Sequence, residues 1–143
     1  MNEKKLQLVT FEQAKRLKEL GFDWECEKYY NSHNELYAWN KNAGENPNSF
    51  PHYEGVADCF SSPAVALALK WMEEEKEIIN ETFTQTKHFG HEFCWRFRED
   101  YTTTTSEKGY RTRITAESAL LDELLTILEN ENELTKEYED NQN

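Results

Sequence analysis

The spacing of apolar residues changes rhythm several times along the chain. From Thr10 to Gly21, Phe11, Ala14, Leu17 and Leu20 recur every three or four positions, the spacing of an amphipathic helix. Thr10 followed by Gln13 is a capping box, and Gly21 then Phe22 fits a Schellman ending. EKYYN and ELYAWN follow as two aromatic-rich runs around Ser32, His33 and Asn34, which predicts a β-hairpin. Residues 40–58 carry Gly44, Gly55, Pro47 and Pro51, the signature of a long loop. Phe50 and Tyr53 are expected to pin that loop to the body.

Helical rhythm returns at SSPAVALALKWMEEEK. Ser62 suits an N-cap and Pro63 the first helical position, where a missing amide costs nothing. Val65, Ala68, Leu69 and Met72 form one stripe, widened by Leu67 and Trp71. The β-forming run ETFTQTK and then EFCWRFRED predict two strands turned around Gly90. In the second, Phe93, Trp95 and Phe97 alternate with Cys94, Arg96 and Arg98, which predicts one buried and one wetter face. YTTTT and GYRTRI would form another hairpin or extend the sheet. Thr115 is expected to cap a last helix with a wide apolar face, Leu120, Leu121, Leu124, Leu125, Ile127 and Leu128. The polar ENELTKEYEDNQN after Asn130 reads as a frayed tail.

Short connections between neighbouring strands imply a mainly antiparallel sheet of hairpins with about three helices packed on one face, an α+β domain over residues 1–130, followed by an acidic tail, 131–143. At 143 residues the chain can bury roughly two-thirds of its unfolded surface without a metal or disulfide staple. Its apolar fraction is only 37%, so the 13% of aromatic residues must supply much of the core.

Charge sharpens the picture at one end. The net charge is −12, of which −8 falls between Ala116 and Asn143. An acidic surface repels phosphate backbones, so direct nucleic-acid binding is disfavoured. The same acidity could imitate DNA toward a basic protein, but solubility is the plainer reading of a solvated charge run. Cys26, Cys59 and Cys94 are an odd set without CxxC spacing and read as free thiols in a reducing compartment. The N-terminal stretch offers no signal-peptide core, and no run is long enough to span a membrane. A cytoplasmic protein is expected, and the Asn80-Glu81-Thr82 sequon is taken as an accident of composition.

Three stretches in order, LVTFEQAKRLKELGFDWECEKYY, SSPAVALALKWMEEEKEI and ITAESALLDELLTIL, resemble a family of small uncharacterised proteins encoded by phages and prophages of gut Bacteroidetes. The shared features are a helix closing on Lys18-x-x-Gly21-Phe22 before a hairpin, a Ser61-x-Pro63 start leading into Leu67-x-x-Lys70-Trp71, and a C-terminal helix after a sheet. The resemblance covers most of the chain outside the 40–58 loop and the acidic tail. It implies a fold and a mobile-element setting in a bacterial host. The family has no established activity, so the resemblance assigns no functional residue. The longer acidic C-terminus and the run Thr102–Thr105 depart from the family pattern.

Candidate chemistry centres on KHFGHEFCWRFR. Zinc needs about four converging His or Cys ligands. His88, His91 and Cys94 supply three, with Cys59 or His52 as a fourth. Strand alternation opposes this, because His91 shares the face of Phe93 while Cys94 points away. Cys59 could be a nucleophile if the helix start near Pro63 lowered its pKa and His52 acted as base, yet no third group or oxyanion element is recognisable. FCWRFR interleaves rings and cations as single-strand binders do, but a core role for the rings, with Arg96 and Arg98 pairing acids, fits the alternation better. No Gly-rich phosphate loop, HExxH or GxSxG is present. The expectation is a non-enzymatic accessory protein without cofactor, binding a protein partner or a second copy through the Leu120–Leu128 helix. The alternative is a small metal- or thiol-dependent enzyme.

Overall fold

The structure, a computed structural model, describes residues 7–39, 47–49, 58–85 and 90–140. The described elements run α1 (Phe11–Glu19), β1 (Lys28–Tyr30), β2 (Leu36–Ala38), a 3-10 turn (Pro47–Ser49), β3 (Phe60–Ser61), α2 (Val65–Glu75), β4 (Ile78–Gln85), β5 (Gly90–Phe97), β6 (Thr104–Thr105) and α3 (Arg113–Asp140). The fold is α+β. Its strands form two antiparallel sheets, ordered β2-β1-β3 and β4-β5-β6, where the hairpin pattern suggested one.

The first helix forms as its sequence dictates. Gln13 N–H donates to Thr10 Oγ1 at 3.1 Å while Thr10 N–H donates to Gln13 Oε1 at 2.9 Å, closing the capping box. At the other end Gly21 adopts φ +94°. Phe22 N–H reaches the Leu17 carbonyl and Gly21 N–H the Lys18 carbonyl, the paired bonds of a Schellman ending. Phe22 is thereby buried edge-on against Trp71.

β3 accounts for the extra sheet and for an early reading of α2. Phe60 and Ser61 pair with Tyr30 and Tyr29, and Ser62 N–H continues the ladder to the Lys28 carbonyl at 2.9 Å. Ser62 is thus not an N-cap, and its buried hydroxyl finds no partner among the described residues. Ala64 holds the cap position without a side-chain bond. Backbone from a remote segment replaces the cap: Val65 N–H donates to the Gln7 carbonyl at 2.8 Å and Val9 N–H to the Pro63 carbonyl at 3.0 Å. Phe50 and Tyr53 lie outside the described residues. Within the same long connection, Asn48 makes a firm attachment, giving Nδ2–H to the Phe22 carbonyl and accepting the Ser61 N–H at 2.8 Å.

β4 and β5 pair along their whole length, from Ile78 opposite Phe97 to Gln85 opposite Gly90. This register puts Ile78, Phe93 and Trp95 on the core face, and all three are buried. The segment after β5 extends this sheet and makes no separate hairpin: β6 pairs with Cys94 and Trp95, and Tyr110 bridges His91 farther along the same edge. Among the described residues Arg96 and Arg98 bind backbone carbonyls instead of the acids expected. Arg96 donates to the carbonyls of Phe97, Arg98 and Asp100 and ties the turn after β5, while Arg98 donates to the Glu73 carbonyl.

α3 begins at Arg113, three residues earlier than a Thr115 cap would place it. Thr112 is the residue that caps it, accepting the Thr115 N–H at its hydroxyl and the Ala116 N–H at its carbonyl. The helix then continues unbroken through Asn130 to Asp140, where the polar sequence suggested fraying. Leu120, Leu121, Leu124 and Leu125 are fully buried, and α3 touches α1, α2, β4 and β5. The leucine face considered for a second copy is therefore occupied by the chain's own elements.

Gln13 also binds α3. Its amide nitrogen donates to Asp122 Oδ1 at 2.9 Å, Ser118 Oγ at 3.2 Å and the Ser118 carbonyl at 3.3 Å. Glutamate is the usual alternative at this position of a capping box, yet here it would keep the cap and set a carboxylate against Asp122. Gln13→Glu is expected to lower stability in urea by about 1–3 kcal/mol, the cost of a buried group losing its hydrogen bonds. Unchanged stability would show that only the cap matters.

Candidate functional site

β5 decides the fate of the histidine and cysteine set. His91 is fixed by a two-way backbone bridge, its N–H to the Tyr110 carbonyl and the Tyr110 N–H to its own carbonyl, both at 2.7 Å. Its ring Nδ1 lies 3.4 Å from Thr84 Oγ1 across the hairpin. Tyr110 stacks on Phe93 with ring centroids 6.0 Å apart, which continues the His91 face into the core. Cys94 stands on the opposite face, opposite Glu81, and its thiol donates to Glu81 Oε1 at 3.5 Å. The alternation read from the sequence therefore separates His91 from Cys94 as expected. His88 and His52 lie outside the described residues. Cys59 precedes β3 in the other sheet, and among the described residues no group of three or more His, Cys, Asp or Glu is placed to hold a metal ion.

The nucleophile reading of Cys59 loses its physical basis in the same way. Three residues separate β3 from the start of α2, so Cys59 sits six positions before the first helical residue, Val65, and the Val65 N–H is already engaged by Gln7. Burial pushes the Cys59 thiol up; Lys18 pulls it down, and Asp58 raises it further. Lys18 Nζ is itself bound to the Cys59 carbonyl at 2.9 Å. Cys94 is likewise raised, first by burial and then by its bond to Glu81. Cys26 is pushed up to about 11, chiefly by burial. All three are free thiols held in the protonated form, the opposite of what a thiolate nucleophile needs.

Base stacking on β5 is closed off as well. Phe93 and Trp95 are 3% and 8% exposed, and the Trp95 indole N–H donates to the Glu123 carboxylate of α3. An open hollow of about 210 Å³ lies between α2, β4 and the start of α3, lined by Leu69, Lys70, Glu81, Arg113, Glu117 and Leu120. It is smaller than ordinary ligand pockets and mixes both charges, with the Arg113 guanidinium already bound to Glu117 at 2.8 Å.

The feature that sequence reasoning missed is a polar seam between α1 and α3. Beside Gln13, Arg16 donates through Nε to both oxygens of Glu129, at 3.0 and 3.1 Å, and through a terminal nitrogen to Thr126. The fork geometry suits a carboxylate, and the pairing to Glu129 holds the Arg16 guanidinium above its ordinary pKa. Ser118, Asp122, Thr126 and Glu129 thus form one stripe at helical spacing facing α1. That spacing was visible in the sequence, but the stripe is polar and gives no hydrophobic periodicity. The seam ends at Glu129, and from Asn130 to Glu139 every residue of α3 is exposed. At 1.5 Å per residue, about three turns of helix project past the body.

No family model, curated protein or solved structure matches the chain. No helix among the described residues is long and apolar enough to cross a membrane.

The raised thiols set a pH signature. Cys26 in the unfolded chain ionises near its ordinary value of 9.0, while in the folded chain it stays protonated up to about 11. Between those values the unfolded state binds fewer protons, so stability falls as pH rises through that window and is fully present below it. Cys26→Ser should flatten this part of a urea-stability profile. At neutral pH, maleimide should modify Cys59 and Cys94 more slowly than an unhindered thiol, and Cys26 only on unfolding.

Proposed function

We propose that the chain is a non-enzymatic accessory protein of a phage or integrated element, working in the bacterial cytoplasm by binding another protein. The observation that carries this reading is the exposed, acidic continuation of α3 beyond the α1 seam. A helix that keeps its form for about three turns with every residue from Asn130 to Glu139 exposed offers a shaped surface to a partner. The mobile-element setting rests on the resemblance in LVTFEQAKRLKELGFDWECEKYY, SSPAVALALKWMEEEKEI and ITAESALLDELLTIL. In that setting, an acidic rod could serve counter-defence by occupying the nucleic-acid site of a basic host protein, the DNA-mimic form of the proposal.

The alternative, a metal- or thiol-dependent enzyme, has weaker support. His91 and Cys94 occupy opposite faces of β5, and the thiols of Cys59 and Cys94 are raised. The self-association form through Leu120–Leu128 would require unpacking leucines that are buried in the monomer.

Affinity capture from bacterial host lysate, comparing the full chain with a chain ended after Glu129, tests the reading. The full chain should retain a host protein in near-stoichiometric amount, and retention should fall with rising salt and with removal of residues 130–143. Retention of nothing by either chain, or zinc found in molar equivalence in protein purified without added metal, would remove its support.

A further inference from the structure

The projecting part of α3 is not uniformly polar. Leu134 and Tyr138 are 65% and 67% exposed and lie four residues apart, one turn of helix. Advancing 100° per residue, they fall on the same side as Leu120, Leu124 and Ile127, the side that the body covers upstream. The apolar stripe of α3 therefore outruns the fold that buries it. Glu131 and Glu137, three residues before and after Leu134, flank this pair.

Charge selects the occupant. Residues 130–140 hold five acids, Glu131, Glu133, Glu137, Glu139 and Asp140, against one base, Lys136. The last turn carries no basic residue, so an acidic sequence ends α3 where the helix dipole is itself negative. A second copy of this surface would set acid on acid. A cationic partner would relieve both the mutual repulsion and the dipole. An apolar pair at i and i+4 rimmed by acids matches an amphipathic helix that presents aliphatic anchors between lysines or arginines.

We propose that residues 130–140 of α3 are a docking arm for a cationic amphipathic helix of a partner protein, with Leu134 and Tyr138 as the apolar contact and Glu131 and Glu137 as the charged rim. This rests on the protein-binding reading above and sharpens it: a pure mimic of DNA would use the carboxylates alone, whereas this arm also uses its apolar pair. Because those two side chains are not part of the core among the described residues, their substitution leaves the fold intact.

The test uses the full chain and a labelled helical peptide of leucine and lysine with its leucines on one face, followed by fluorescence anisotropy. A scrambled peptide of equal composition and a lysine-only peptide serve as controls. The patterned peptide should bind about tenfold more tightly than either control, a difference of about 1.4 kcal/mol. Leu134→Ser with Tyr138→Ser should erase that preference without shifting the thermal midpoint. Glu131→Gln with Glu137→Gln should weaken binding and flatten its salt dependence. Equal binding of all three peptides, or a preference that survives the Leu134→Ser and Tyr138→Ser changes, would overturn the proposal, as would arm-dependent dimerisation seen by light scattering. A host protein captured equally well by the chain ended after Glu129 would also overturn it, while leaving the protein-binding reading in place.

Discussion

Burial of one helix face organises this molecule. Leu120, Leu121, Leu124, Leu125 and Leu128 of α3 meet α1 on one flank, α2 on another and the core face of β4 and β5 on a third. Truncating any one of the fully buried leucines to alanine would remove about 2–5 kcal/mol, a large share of the stability of an ordinary domain. The two sheets share no strand, so their common support is this helical layer. α1 reaches the first sheet through Phe11, whose ring stands edge-on to Tyr30 and Phe60. Trp95 and Phe93 bring the second sheet to α3.

Hydrophobic contact alone would let α1 slide along so uniform a leucine surface. The polar seam removes that freedom. Gln13 and Arg16 project one turn apart and meet Asp122 and Glu129 at fixed points, which sets the register between the two helices. Exposed pairs contribute little energy, but a buried amide with three acceptors and a forked arginine are directional, and direction is what a leucine face lacks. The seam also orients the length of α3 that follows it.

Much of the architecture could be read from local chemistry. The capping box, the Gly21 ending, the β1–β2 hairpin and the alternation of Phe93, Trp95 and Phe97 all depend on residues close together in the chain, and each appears as expected. Much of what the sequence hid depends on partners far away. Ser62 and Pro63 carry strong helix-start chemistry, yet Gln7 supplies the bond that a cap would make, and the serine enters a ladder with Lys28. Thr115 was the expected cap of α3, but Thr112 takes that place because its hydroxyl accepts the Thr115 N–H. The length of α3 escaped because a polar composition is usually a sign of fraying. Of the candidate set, only the separation of His91 from Cys94 was legible, from period-two alternation along β5. The seam was invisible because a polar stripe on one helix has no meaning until the other helix is beside it.

The seam also has a consequence in time. Gln13 and Asp122 stand 109 positions apart, and α3 is synthesised after every other described element. At usual bacterial and eukaryotic elongation rates, α1 waits roughly 5–20 s for the surface it packs on. During that interval α1 has the residues of its capping box and Schellman ending but no seam, and Phe22, Trp71 and Phe93 have no leucine layer above them. Local capping marks where the first helix starts and stops, but a helix of nine residues gains most of its stability only when α3 arrives.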